Sequence, residues 1–183
     1  MENTMTRQRS ALDLLSQYAA YHRDRRNITT HFFGIPLIVF AVSVLLAKPA
    51  FTLGNLALTP AWIAWGLATI WYLTRGNLTL GLAVSLVNGV LTVLAQQVSG
   101  GSLASWLGWG LGSFIAGWVI QFIGHYYEGR KPAFVDDLIG LLVGPMFVTA
   151  EIMFALGWGR PLLAEIERRV GPTVLRDLAH PAA

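Results

Sequence analysis

Apolar residues in this chain come in long uninterrupted blocks, with the polar residues gathered between them. A membrane-spanning helix needs roughly 20 mostly apolar residues, and the blocks at about 31–48, 59–74, 78–98, 103–124 and 138–157 approach or meet that length. The first, "HFFGIPLIVFAVSVLLA", follows Asn27 and Thr29, either of whose side-chain oxygens can cap free backbone N–H groups. The second has Pro60 in its first turn, where a missing N–H does no harm. A polar "SGGS" at 99–102 predicts a tight turn between the third and fourth. Ahead of them, Leu12, Leu15 and Tyr18 mark a short helix over about 8–24. Behind them, Leu162, Leu163, Ile166 and Val170 share one helical face with charges opposite, the pattern of a helix lying in a membrane interface.

The fifth block fits a simple crossing less well. It holds Gly140, Gly144, Pro145 and Glu151, and a carboxylate at membrane depth costs roughly 2.5–3.5 kcal/mol unless partnered. The pattern therefore predicts one all-α domain over 1–183. It is a polytopic helical membrane protein, with four spanning helices, a fifth broken or re-entrant hydrophobic segment and a C-terminal interfacial helix. Residues 1–30 form a cytoplasmic N-terminal part, 31–157 the hydrophobic helices and 160–183 an amphipathic tail.

Composition strengthens that picture. Hydrophobic residues make up 54% and charged residues 13%, about half the charged share of a soluble domain. The net charge of +3 could suggest nucleic acid, but no basic stripe or nucleic-acid motif accompanies it. Orientation explains the excess better, because basic residues collect on the cytoplasmic side. Arg7, Arg9, Arg23, Arg25 and Arg26 precede the first block, Arg75 follows two crossings, and Arg130 and Lys131 follow four; Lys48 falls on the far side. The expected arrangement has the N-terminus inside and no cleavable signal peptide. Compact length and the lack of organelle signals point to a bacterial inner membrane. Gly108, Gly112 and Ala116, four apart, are expected to let helices pack closely, and a homo-oligomer is compatible with such a surface.

The same arithmetic gathers the chemistry. His22 and His31 precede the first block and His125 closes the fourth, so an even number of crossings returns all three to one face. His22 and His31 are nine residues apart, about 900° on an unbroken helix, so they converge only if the chain turns at "RRNITT". Gln121 and Glu128 lie on the face of His125 at helical spacing. Imidazoles with few competing charges suit iron, zinc or copper, and three histidines without cysteine leave iron(II) or zinc leading. The plainer alternative is that each histidine is a hydrogen-bonded interfacial residue. His180, in the tail, reads as solvated. Arg130 and Lys131 serve either as positive-inside anchors or as partners for an anionic headgroup or fatty carboxylate. There is no G-x-S-x-G elbow, P-loop, dinucleotide fingerprint in a suitable context or H-E-x-x-H motif, and Asn88 is a thin basis for a carrier.

The stretches "YAAYHRDRRNITTHFFGIP" and "QFIGHYYEGRKPAF", followed by "GPMFVTAE", resemble the Mpo1-like family over about residues 18–155. The resemblance rests on H-x(4)-N-x(3)-H and G-H-x(2)-E-G-R-x-P-A, which are fairly specific together. It implies an Fe(2+)-dependent dioxygenase of fatty-acid α-oxidation, turning a 2-hydroxy fatty acid and O2 into an acid one carbon shorter with loss of CO2. It makes His22, His31 and His125 the expected iron ligands. Glu128 becomes a further ligand or an acceptor orienting an imidazole N–H, with Asn27, Gln121 and Glu151 weaker candidates of that kind. Arg130 or Lys131 would pair with the substrate carboxylate. The rival readings are another metal-dependent lipid hydroxylase or desaturase, which usually shows more histidines, and a non-enzymatic membrane scaffold or carrier.

Overall fold

In a computed structural model, which describes residues 8–53 and 56–178, seven helices and one short hairpin are present. Helix α1 (Ala11–Ala19) starts at Ser10, which exchanges capping hydrogen bonds with Asp13. After a five-residue turn, α2 (Arg25–Leu45) begins. Its cap is Asp24, accepting from the Arg26 N–H, rather than Asn27 or Thr29, which lie one turn inside the helix. Strands β1 (Phe51–Leu53) and β2 (Leu56–Leu58) form a small antiparallel ribbon at the far end, a departure from an all-helical chain. Helices α3 (Pro60–Leu73), α4 (Leu78–Ser99) and α5 (Leu103–Glu128) follow, then a single 3-10 turn at Ala133–Val135. Helices α6 (Gly140–Ala155) and α7 (Arg160–Val170) complete the order, bent by 117° from one another.

Helices α2, α4 and α5 are long and apolar enough to cross a membrane, with mean hydropathies of 2.0, 2.0 and 1.4. Helix α3 has 14 residues, about 21 Å, and is shorter than the expected span. It still runs between the same two ends: the Ala61 N–H bonds the Leu46 carbonyl at one, and the Ala11 N–H bonds the Arg75 carbonyl at the other. Polar residues turn inward along these helices (Ser85, Asn88, Thr92, Gln121), while Leu67, Leu86 and Ile115 face outward more than 60% exposed. A water-soluble helix has the opposite pattern; this one suits an integral membrane protein.

The main core lies at the end that carries the histidines. Leu14, Leu15 and Tyr18 of α1 pack against Met146 and Phe147 of α6 and Ile166 of α7. Burying each large apolar side chain contributes roughly 1.5–3 kcal/mol. Both ends of the fifth hydrophobic block stay near this core: Asp137 pairs with Arg9 before α6, and Arg169 of α7 pairs with Asp13. The segment is thus bent sharply between α6 and α7, the shape of a broken span or a re-entrant loop. The apolar face of α7 is spent on the core (Ile166 is buried, with Leu162, Leu163 and Val170 partly so) instead of on an interface.

Helices α2 and α5 approach through glycines, although not the expected ones. A Cβ on Gly34 would fall 2.9 Å from the Gly117 carbonyl, and one on Gly117 would fall 2.7 Å from Ile38 Cγ1. One on Gly124 would fall 2.5 Å from Asn27 Oδ1. Gly108 and Gly112 face open space, and Ala116 is exposed. The contact stripe is Gly110, Gly117 and Gly124, seven apart: α2 backbone meets Gly117, and α2 side chains fill the space over Gly110 and Gly124.

Candidate metal centre

Three elements deliver one histidine each. His22 sits in the turn between α1 and α2, His31 in the second turn of α2, and His125 in the last turn of α5. The turn supplies the change of direction that a continuous helix could not. The close α2–α5 contact at Gly34 and Gly124 does the rest. Ring centroids lie 4.4 Å apart for His22–His31, 5.0 Å for His22–His125 and 5.2 Å for His31–His125. One nitrogen from each falls within 4.8 Å of the other two, and all three residues are buried.

Hydrogen bonds fix the rings. His22 Nδ1 lies 2.7 Å from the Tyr18 carbonyl and His31 Nδ1 lies 2.8 Å from the Asn27 carbonyl. A carbonyl only accepts, so each Nδ1 carries the proton and each Nε2 keeps its lone pair. His22 Nε2 and His125 Nδ1 are buried with no hydrogen-bond partner. Such orphans cost roughly 1–3 kcal/mol each, and a metal ion is the partner that neutral imidazoles suit. Burial first, then the neighbouring His31 and His125, hold His22 well below its ordinary pKa, so the ring stands neutral. The residues fit a divalent metal.

The flanking candidates divide. Glu128 is buried, and its carboxylate accepts from the Arg23 N–H, from the Asp24 N–H at 2.8 Å and from Asn27 Nδ2 at 3.0 Å. It fastens the turn that carries His22, bonding backbone and amide instead of an imidazole. Asn27 joins Glu128 to His31. Gln121 is buried beside His31 and His125 with its Nε2 unpartnered. Together with Ile35, Trp118 and Pro145, Gln121, His31 and His125 line a cleft of about 60 Å³. Arg130 and Lys131 lie outside it: Arg130 donates to the Ala20 carbonyl, and Lys131 pairs with Asp136. Glu151 lies in α6, with Arg23 the opposite charge that acts on it. His180 falls outside the described residues.

Some supporting residues escaped sequence reasoning. Tyr18 stacks on His22, and its position four residues earlier on a helix was the available signal. Asp24 and the strap Gly171–Arg176 carried none. The Val174 N–H bonds the Arg23 carbonyl, the Arg25 N–H bonds the Val174 carbonyl, and Arg176 donates to the Glu128 carbonyl.

A family profile described as "2-hydroxy-palmitic acid dioxygenase Mpo1-like" matches residues 8–156, which hold all three histidines. The chain belongs to the Mpo1-like family. Among curated proteins it is similar to the 2-hydroxy-palmitic acid dioxygenase MPO1 of Saccharomyces cerevisiae. The two are 32% identical over 169 residues, covering 85% of this chain and 88% of the yeast protein. No solved structure matches. The Mpo1-like match thus covers α1 to α6, whereas the strap that fastens the histidine turn lies beyond it.

Proposed function

We propose that this Mpo1-like chain is an iron(II)-dependent dioxygenase that converts a 2-hydroxy fatty acid and O2 into a fatty acid one carbon shorter, CO2 and water. The observation that carries this reading is the buried three-histidine cluster with orphaned nitrogens, opening on an apolar cleft. The stoichiometry closes without a further reductant, in keeping with a chain that has no nicotinamide or flavin motif.

His22, His31 and His125 would hold the iron. When bound, it supplies the activation of O2 that organic side chains cannot, through positions left open by three protein ligands. The protein's own part is positioning. The Tyr18 and Asn27 carbonyls keep Nδ1 protonated on two rings, so Nε2 points inward. Glu128 and Asn27 hold the His22 turn against α2. The Gln121 Nε2–H donates to an oxygen of the substrate head, and Ile35, Trp118 and Pro145 exclude water around it. Arg130 and Lys131 at the rim attract the carboxylate during approach. Arginines at this end (Arg23, Arg25, Arg26, Arg75 and Arg130) favour a cytoplasmic site in a bacterial inner membrane.

The test is anaerobic purification with iron(II), then addition of O2 and 2-hydroxypalmitate, with products read by mass spectrometry. Pentadecanoate formed only with iron is the expected result, lost in His22→Ala, His31→Ala and His125→Ala together with bound iron. Stoichiometric metal without turnover would move the reading to another lipid hydroxylase or desaturase. No metal and no turnover would leave a scaffold or carrier.

A further inference from the structure

A second, larger cavity of about 380 Å³ adjoins the histidine cleft and shares Ile38, Val39, Trp118, Leu141 and Pro145 with it. Its α2 wall is the face Ile38, Val42 and Leu46, leading away from His31. From His31 to the end of α2 at Leu45 is 14 residues, about 21 Å. The opposite wall is α3, which presents Ala68, Ala64 and Ala61 at intervals of four and three residues. These alanines form a descending series. Ala68 packs near the core at the histidine end, whereas Ala61 bonds Leu46 at the far end. Most polar groups there are turned on one another, as in Ser43 with Thr92 at 3.3 Å and Thr92 with the Asn88 carbonyl, and the Thr69 hydroxyl alone among them is buried without a partner. The remaining surface is apolar and suits a hydrocarbon.

We infer that this cavity holds the acyl chain of the substrate, and that Ala68, Ala64 and Ala61 set how long a chain is accepted. The inference rests on the reading above that the substrate is a fatty acid. The head lies at Gln121 and the histidines, the chain passes Trp118, and each alanine leaves the width of a methylene chain where a larger residue would close it. Apolar pockets discriminate by about 10–200-fold per misfit methylene, so a blocked level cuts off all longer chains. A blocked upper level cuts off more of them than a blocked lower one.

The experiment uses the full chain in detergent and measures displacement of radiolabelled palmitate by straight-chain fatty acids of graded length. These acids lack the hydroxyl and are not turned over. Ala68→Leu should lower the preferred length most, with affinity for palmitate falling about tenfold; Ala64→Leu should lower it less and Ala61→Leu least. Leu67→Ala, on the outward face at 64% exposure, should match the parent. If Ala61→Leu fails to fold, the order of the other two carries the test. Length profiles identical to the parent in Ala68→Leu and Ala64→Leu would overturn the inference, leaving the cavity to a bilayer lipid tail. The dioxygenase reading fails separately: graded displacement with no oxidation of any 2-hydroxy acid by the parent would remove the reaction and keep the channel.

Discussion

Tyr18 and His22 lie ring on ring, with centroids 4.1 Å apart and planes 6° from parallel, while the Tyr18 carbonyl holds His22 Nδ1. One residue thus sets both the tilt and the tautomer of a candidate ligand. The backbone bond survives any substitution, so the two contributions can be separated. Tyr18→Phe should retain iron and activity. Tyr18→Ala should lose about 3–5 kcal/mol of stability through the cavity it leaves and bind iron more weakly. Metal analysis and thermal unfolding of both variants check this; equal losses in the two would mean that the hydroxyl matters, and not the stack.

Glu128 supports the site from the other side. Its carboxylate takes two backbone N–H groups and one amide from the His22 turn, charge-assisted bonds worth roughly 1.5–3 kcal/mol each. Glu128→Gln replaces one acceptor oxygen by a donor and should weaken iron binding about 10–100-fold. A titration of the apo-protein with iron(II) measures it. Unchanged affinity would show that the strap alone holds the turn.

The two sets of glycines give a paired test. Gly124→Ala should cost about 1–3 kcal/mol by overpacking and reduce iron content, because its Cβ meets Asn27 and Thr30. Gly108→Ala and Gly112→Ala meet nothing and should leave the monomer unaltered. Thermal unfolding with metal analysis ranks the three; a silent Gly124→Ala would contradict the close α2–α5 approach.

Asp24 ties stability to acid pH. Its carboxyl is held at about 2, below the ordinary 3.8, first by the Arg26 side chain and then, against its own burial, by the Arg176 and Arg26 N–H groups. The folded value is the lower one, so the stability it contributes is complete above 3.8 and lost as pH falls through about 2. Asp24→Asn should therefore unfold at a lower temperature than the parent at neutral pH, with the gap closing as pH falls. Asp13 is held at about 2 as well, by Ser10 and then Arg169, but at the surface, where solvent screens such pairs. Asp13→Asn should change this limb little. A gap that stays constant into acid would assign the Asp24 effect to shape, not charge.

Much of the site was legible because its logic is topological. An even number of helices from His31 to His125 (α2 to α5) and a break between His22 and His31 suffice to bring three histidines together, and those depend on block boundaries. The faces of the helices were not legible. In α5 nearly every position is apolar, since lipid and protein interior ask for the same side chains, and spacing alone could not choose Gly110–Gly117–Gly124 over Gly108–Gly112–Ala116. The amphipathic stripe of α7 was read correctly as a stripe, but a stripe does not say whether it meets lipid or α1. "RDRRNITTH" offered several caps, and Asp24 won because it also accepts from Arg26 and from the strap.

That strap also imposes an order on manufacture. The bonds from Val174 and Arg176 to the His22 turn join segments far apart in the chain, Asp24 and Arg176 being 152 positions apart with every long apolar helix between them. The long apolar helices can enter a bilayer as each leaves the ribosome, but the clasp on His22 cannot close until the tail has followed. The three-histidine cluster is thus clasped only after the long helices are made, and a chain stopped short of Gly171 would hold those helices with the His22 turn unfastened.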